Sequence, residues 1–330
     1  MAFITVWSVV PSRAELARAH RFRVRRLINA VRSGRPDEPP SHLGAALVAG
    51  LVVAVLATAG LAIRHRLNRP DAWRDSASVI VERESGDQFV YADGRLHPVL
   101  NVVSARLAIG TPAPVVAVAR SALRDVARGP AWGIAGAPDR VPAAAELAGS
   151  WAVCSVDGEA RLVIGVAVGG HRLGARGMAV SDGRAARLLV TRDSVRSRSG
   201  GGRGLVVASE FVDAIPVDSG GPAPAESVEA PGAVCVTHDG GGATVVVGAD
   251  PPAVRVTVRT GSGAVLASDA SPGVLWLVCE DGRRYALAGD TALASLGLSG
   301  VTATVVPPSA LAMIPEGPRL SGDDARSPEP

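Results

Sequence analysis

Residues 88–100 read QFVYADGRLHPVL. Two short apolar, β-prone runs flank Asp93-Gly94, a pair favoured where both turn residues occupy the left-handed region, so the segment predicts a β-hairpin. Near the other end, residues 276–287 read WLVCEDGRRYAL. Asp93-Gly94-Arg95 corresponds to Asp281-Gly282-Arg283, Ser121-Ala122-Leu123 to Ser309-Ala310-Leu311, and Gly129-Pro130 to Gly317-Pro318, each pair 188 residues apart. A constant offset over about forty positions marks a duplicated unit. Each copy is expected to be a hairpin, a short helix (residues 103–109 and 291–298) and a proline-bearing tail, over about 88–130 and 276–318. Standing at opposite ends, the two units are expected to close one body over 79–319 rather than to stack as a solenoid.

N-terminal to this body the composition changes. Residues 43–63, LGAALVAGLVVAVLATAGLAI, carry no charge. At about 1.5 Å per residue they reach roughly 31 Å, the thickness of a bilayer's hydrocarbon core, and predict one transmembrane helix. Small residues at Ala46, Gly50, Ala54 and Thr58 fall on one face of it. A cleaved signal peptide, with Ala57-Thr58-Ala59 as its site, is excluded by the long apolar run and the 42-residue leader. The linker runs over 64–78, and the polar tail 320–330 is expected to be disordered.

The chain contains no lysine; its 34 basic residues are all arginine, and its net charge is +3. Residues 1–69 hold eleven arginines against Glu15, Asp37 and Glu38, a net of +8, which leaves −5 for the remainder. A mildly acidic body argues against nucleic acid as a partner. Eight arginines precede the apolar run and four follow within fifteen residues. The positive-inside rule then places the head, 1–42, in the cytoplasm and the body outside, in a lipid bilayer crossed once. Val24, Leu27, Ile28 and Val31 recur at helical spacing among Arg18, Arg21, Arg25 and Arg32, and Ser12 with Glu15 forms a capping-box signature. Residues 12–31 are therefore read as an amphipathic helix that docks on a cytosolic partner or anionic headgroups, or that merely fixes topology.

The signature Leu96-His97-Pro98-Val99-Leu100-Asn101, followed by Ser104-Ala105-Arg106-Leu107, resembles the first repeat of the EccB family. EccB is a membrane-anchored core component of actinobacterial type VII (ESX) secretion. The likeness extends to Arg21-Phe22 and Arg25-Arg26-Leu27 in the head, then to Gly133-Ile134, Gly136-Ala137-Pro138, Trp151-Ala152-Val153-Cys154 and Ile314-Pro315-Glu316-Gly317-Pro318. It implies one N-terminal transmembrane helix and an extracytoplasmic β-rich α+β body of strand-turn-strand-helix repeats. It further implies a structural role in a hetero-oligomeric secretion complex, with an EccC-like ATPase, an EccD-like channel and an EccE-like subunit as partners. The middle, 151–275, is shorter than in the family. Where a further repeat is expected only Arg187-Leu188-Leu189-Val190 stands, beside the loop RSRSGGGRG at 196–204 and a remnant turn at Asp182-Gly183. Valine-rich runs at 160–168, 243–248 and 254–258 still indicate a β core, with loops at 222–231 and 240–242.

Cys154, Cys235 and Cys279 are the only cysteines; sequence alone allows three pairings or three free thiols. The resemblance implies a Cys154–Cys235 disulfide and leaves Cys279 as a buried, inert thiol. The segment Val217-Asp218-Ser219-Gly220-Gly221-Pro222 is like a serine-protease nucleophile loop, but no histidine stands in a matching context. Some EccB-like proteins are described as ATPases, which makes a membrane-tethered hydrolase the alternative function. A phosphate-binding loop with its lysine is excluded by composition, and His and Cys show no ligand spacing. No catalytic, cofactor or metal residues are therefore expected. The repeat signature is Asp93, Gly94, His97, Pro98, Asn101, Asp281, Gly282, Gly317 and Pro318.

Overall fold

A computed structural model describes residues 12–34, 42–67, 72–173, 177–183, 188–191, 193–197, 204–217, 232–240 and 242–327. The chain forms two compact units, Met1–Arg69 and Pro70–Pro330.

In the first unit, α1 (Arg13–Ser33) begins at a capping box: Glu15 N–H donates to Ser12 Oγ at 3.3 Å and Ser12 N–H to Glu15 Oε2 at 2.8 Å. It ends at Gly34, whose φ of 63° is the left-handed cap that glycine takes without strain. No side chain of α1 is buried. Next comes α2 (His42–Leu67), a 26-residue helix that contains the apolar run. Among the described residues no helix is long and apolar enough to cross a membrane. Within α2 the described side chains are those of 48–61, fewer than the roughly 20 that a span needs.

The second unit opens with α3 (Ala72–Asp75), β1 (Val79–Glu82), β2 (Gln88–Ala92), β3 (Arg95–Pro98), α4 (Val102–Ile109), β4 (Val115–Val118) and α5 (Arg120–Leu123). The strands make a sheet of order β3-β2-β1-β4, with β4 parallel to β1 and the other pairs antiparallel. Asp93 and Gly94 have φ of 51° and 75° between the paired Ala92 and Arg95, the two-residue turn that the sequence predicts. Trp73, assigned to the linker by sequence, is 3% exposed and packs with Ile80, Phe89 and Leu96, so the body begins at α3. The apolar area of one tryptophan outweighs the polar residues around it.

The middle contains β5 (Trp151–Val156), β6 (Glu159–Ile164), β7 (His171–Arg172), β8 (Met178–Ser181), β9 (Leu188–Val190), β10 (Val195–Ser197), β11 (Leu205–Val206) and α6 (Ser209–Asp213). It continues through β12 (Ala233–His238), β13 (Ala243–Ala249) and β14 (Val256–Val258). Six of these strands form a central sheet of order β14-β6-β5-β12-β13-β7. The other four form a sheet of order β10-β9-β8-β11, with β11 parallel to β8. That is the topology of the first repeat, so a further repeat is present where only its remnant was expected. Its hairpin turn is not Asp182-Gly183. Val190 pairs with Val195, and Thr191 N–H donates to Ser194 O at 2.8 Å. Seven residues join β10 to β11, against sixteen between β3 and β4.

The last repeat comprises β15 (Ala264–Ala267), β16 (Leu275–Val278), β17 (Arg284–Leu287), α7 (Gly289–Ser295), β18 (Thr304–Val305) and α8 (Pro308–Ala312), again in the order β17-β16-β15-β18. Its Asp281-Gly282 turn differs from the first. Val278 pairs with Arg284, Gly282 N–H donates to Cys279 O at 3.0 Å, and only Gly282 is left-handed, at φ 72°. This is a three-residue loop with one bulge residue, so the shared Asp-Gly-Arg builds two kinds of turn.

Beyond it lies α9 (Gly322–Arg326), in the stretch expected to be a disordered tail. Ser321 caps it, its Oγ accepting from Asp324 N–H at 2.9 Å, while Leu320 and Ala325 are fully buried. Arg326 Nε and Nη2 donate to Ala108 O, in the last turn of α4, at 2.9 and 2.6 Å. Polar composition misleads here, because two well-placed apolar side chains and one arginine are enough to dock a single helical turn.

Candidate functional site

The residues that carry the 188-residue repeat converge on one construction. In the first repeat the segment after α5 returns along β3: Leu96 N–H donates to Ala127 O at 2.8 Å, Gly129 N–H to Leu96 O at 2.9 Å, and Trp132 N–H to Pro98 O at 2.8 Å. In the last unit Arg284 donates to Pro315 O at 2.9 Å, Gly317 to Arg284 O at 2.8 Å, and Leu320 to Ala286 O at 2.8 Å. Every donor and acceptor is displaced by the same offset.

Gly129 and Gly317 are required because an aromatic ring lies on each. A Cβ on Gly129 would stand 2.3 Å from His97 Cε1, and one on Gly317 would stand 2.3 Å from Tyr285 Cε1. His97 and Tyr285 are themselves equivalent by the offset. His97 stacks on Trp132 at 3.8 Å, with Nδ1 3.0 Å from Pro130 O. Tyr285 donates its hydroxyl to Asp281 Oδ2 in the turn. Asn101 caps α4, accepting from Ser104 N–H at 2.7 Å, and its Nδ2 reaches Ile134 O at 3.4 Å. The Gly133-Ile134 motif is held from both sides, since Ile134 N–H also donates to Ser104 Oγ at 2.9 Å. Asp93 and Gly94 shape the first turn, and Pro98 and Pro318 border these return segments.

The first and last repeats share a core. Val103, Leu107 and Ala108 of α4 lie in one cluster with Leu277, Tyr285, Leu293, Leu296 and Leu320. A second cluster joins Trp276, Val278, Val306 and Ile314 of the last repeat to Phe211 and Ile215 of the middle one and to Trp151 and Val236 of the central sheet. Phe211 and Ile215 were missed by sequence reading. A signal existed, for residues 206–217 match 305–316 at Val206-Val207 and Ile215-Pro216, an offset of 99.

In the central sheet Cys154 and Cys235 stand opposite one another on β5 and β12, fully buried, and form a disulfide. Cys279 is the free cysteine and is buried. Burial, with Asp281 and Glu280 nearby, pushes its thiol up to about 12, so it is protonated and unreactive at neutral pH. Burial and the Asp281 hydrogen bond likewise raise the Tyr285 phenol. Between this hairpin and Gly136–Arg140 lies a cleft of about 270 Å³, lined also by Glu280 and Arg283.

His238 stacks on Trp151 at 4.0 Å with Nε2 2.8 Å from Ala214 O, and burial lowers its pKa. Of the protease-like segment only Val217 is described; Asp218–Pro222 lie outside the described residues, as do Gly200–Arg203 of the glycine-rich loop and Arg187. Among the described residues no group of three His, Cys, Asp or Glu side chains could hold a metal ion.

This is a repeat protein whose signature residues serve its internal closure. A model of the family described as "Type VII secretion system ESX-1, transport TM domain B" matches residues 11–196 and 215–329. The chain belongs to that family, EccB. It is 36% identical over 137 residues to the ESX-1 secretion system ATPase EccB1 of Mycobacterium tuberculosis, a match covering 41% of this chain and 28% of that protein. To the ESX-5 secretion system ATPase EccB5 of the same organism it is 34% identical over 117 residues, 36% of this chain and 23% of that one. These alignments thus span under a third of the relatives' length. In fold it is similar to a chain of an intact ESX-5 inner membrane complex, with TM-score 0.56 and 18% identity over 98% of this chain and 97% of that chain. It is also similar to a chain of an EccB3 dimer from the ESX-3 core complex, with TM-score 0.59 and 17% identity over 76% of this chain and 100% of that chain.

Proposed function

We propose that this protein is a structural subunit of a type VII secretion membrane complex that scaffolds export of protein substrates across the cell membrane. In this reading α2 is the single membrane span, supported by the uncharged run 43–63. The arginine excess before it puts the head in the cytoplasm and the body outside, where the buried Cys154–Cys235 disulfide is stable. The partners are other core components: an EccC-like ATPase, an EccD-like channel and an EccE-like subunit. The observation that carries the reading is membership of the EccB family over both halves of the chain.

Co-purification from membranes with the multi-spanning channel component and the system's ATPase is the expected result; a chain that extracts alone as a monomer refutes it. All three native cysteines are buried, so topology is read from introduced ones. Arg32→Cys is expected to label only from the cytoplasm and Asp139→Cys only from outside; the reverse pattern overturns the orientation. No arrangement among the described residues favours the hydrolase alternative. Nucleotide turnover by the purified body would revive it.

A further inference from the structure

Helix α1 of the head carries an apolar stripe along one side. Along α1, Leu16, Val24, Leu27, Ile28 and Val31 fall within an arc of about 120° at 100° per residue. Leu27, Ile28 and Val31 are 68%, 57% and 78% exposed. Seven of the 21 residues of α1 are arginines, against one acid, Glu15, which is engaged in the capping box. Arg18, Arg25, Arg26 and Arg32 lie on the far side of the helix, Arg21 and Arg23 border the stripe at its two edges, and Arg13, the first helical residue, falls within its arc. A helix so charged cannot cross a bilayer, and so amphipathic a helix is not at rest in water.

We propose that α1 lies in the plane of an anionic lipid surface, with the Leu16–Val31 stripe at the headgroup boundary and the bordering arginines on lipid phosphates. The inference rests on α2 being the membrane span. Two features choose lipid over a protein groove. The first is charge: a net of +6 on α1 matches a surface of uniform negative potential, to which each arginine adds attraction. The second is reach: eight residues separate Ser33 from His42, at most about 28 Å of extended chain, so a spanning α2 holds α1 within that distance of the bilayer. Border arginines can lay their methylenes along the stripe and keep their planar, bidentate guanidinium heads at the phosphates.

The test uses the full chain in lipid nanodiscs, with a nitroxide at one introduced cysteine: Leu27→Cys in the stripe, Arg25→Cys on the opposite arc, or Val53→Cys in α2. Collisions with oxygen and with a water-soluble nickel chelate are compared in discs with phosphatidylglycerol and in discs of phosphatidylcholine alone. In anionic discs the label at Leu27 is expected to favour oxygen and that at Arg25 the chelate, each several-fold, and the contrast shrinks in neutral discs. Equal exposure of the two labels to the chelate in anionic discs overturns the proposal. Shielding of Leu27 from both colliders, alike in both lipids, also overturns it, because a second copy then covers the stripe. A label at Val53 that meets the chelate freely refutes the span itself and is read apart from the head.

Discussion

Replacing Cys154 and Cys235 together by alanine tests how the chain is tied. The bridge closes a separation of 81 residues that contains β6 to β11, α6 and hence the entire middle repeat. In the chain-entropy model such a loop costs the cross-linked unfolded state about 4–5 kcal/mol of freedom, which stabilises the fold by that amount. Five backbone pairs already hold β5 to β12, but these are lost on unfolding and add nothing to the constraint on the unfolded chain. For a unit of this size about 4–5 kcal/mol corresponds to a fall in Tm of roughly 10–15 °C. The assay is urea unfolding of the 70–330 unit, oxidised against reduced, with the double variant as a second reduced form. Native reduction is expected to be slow, since both sulfurs are fully buried and a reductant reaches them only through opening of the sheet. A difference below about 1 kcal/mol would refute the reasoning, because it would mean that the unfolded chain keeps β5 near β12 without the bond.

Gly317→Ala is expected to cost about 1–3 kcal/mol, since its methyl must displace the Tyr285 ring from fixed strand positions, and Tyr285→Ala in the same chain should recover part of the substitution's effect. A neutral Gly317→Ala in thermal unfolding would contradict the close ring approach. Leu320→Ala should cost about 2–5 kcal/mol and free the C-terminal helix to proteolysis, while Arg326→Ala, on an exposed residue, should cost about 1 kcal/mol or less; equal small effects would mean that α9 is not docked. Cys279 should resist alkylation at pH 8 in the folded protein. Its pKa of about 12 lies above the unfolded value, so its contribution to stability is fully present below the unfolded pKa and is lost as pH rises toward 12; rapid native alkylation would refute this.

Two repeats were legible because their hairpins and tails keep the residues that geometry demands: Asp93-Gly94 for the turn, and Gly129 and Gly317 for a ring that leaves no room for a Cβ. The middle repeat was not legible because it satisfies the same topology by other means. Its hairpin turn is stitched by Thr191 and Ser194, Oγ1 to Oγ at 2.7 Å, with no glycine signal, and only seven residues join β10 to β11. Strand pairing is a backbone property and survives such replacement, whereas a turn signature does not. The tail failed for the opposite reason: one turn of helix held by Leu320, Ala325 and Arg326 has too few residues to show periodicity. At the candidate site the Cys154–Cys235 pair came from family resemblance, and no spacing rule could have picked it over the other pairings.

The last repeat is committed to packing on both of its faces. Strand β16 sends Trp276 and Val278 into the cluster shared with the central sheet and the middle repeat, and Leu277, with Cys279 beyond it, into the cluster shared with α4. A sheet buried on both faces cannot change a residue on either without disturbing a neighbour, so its composition is fixed twice over. The first repeat is likewise committed on two faces, Phe89 to one cluster and Val90 to another, and its α4 carries the contact to the last. Closure therefore runs through the last repeat. Loss of its packing would release the first repeat and α9 together, whereas changes in the loops of the middle repeat leave both junctions intact.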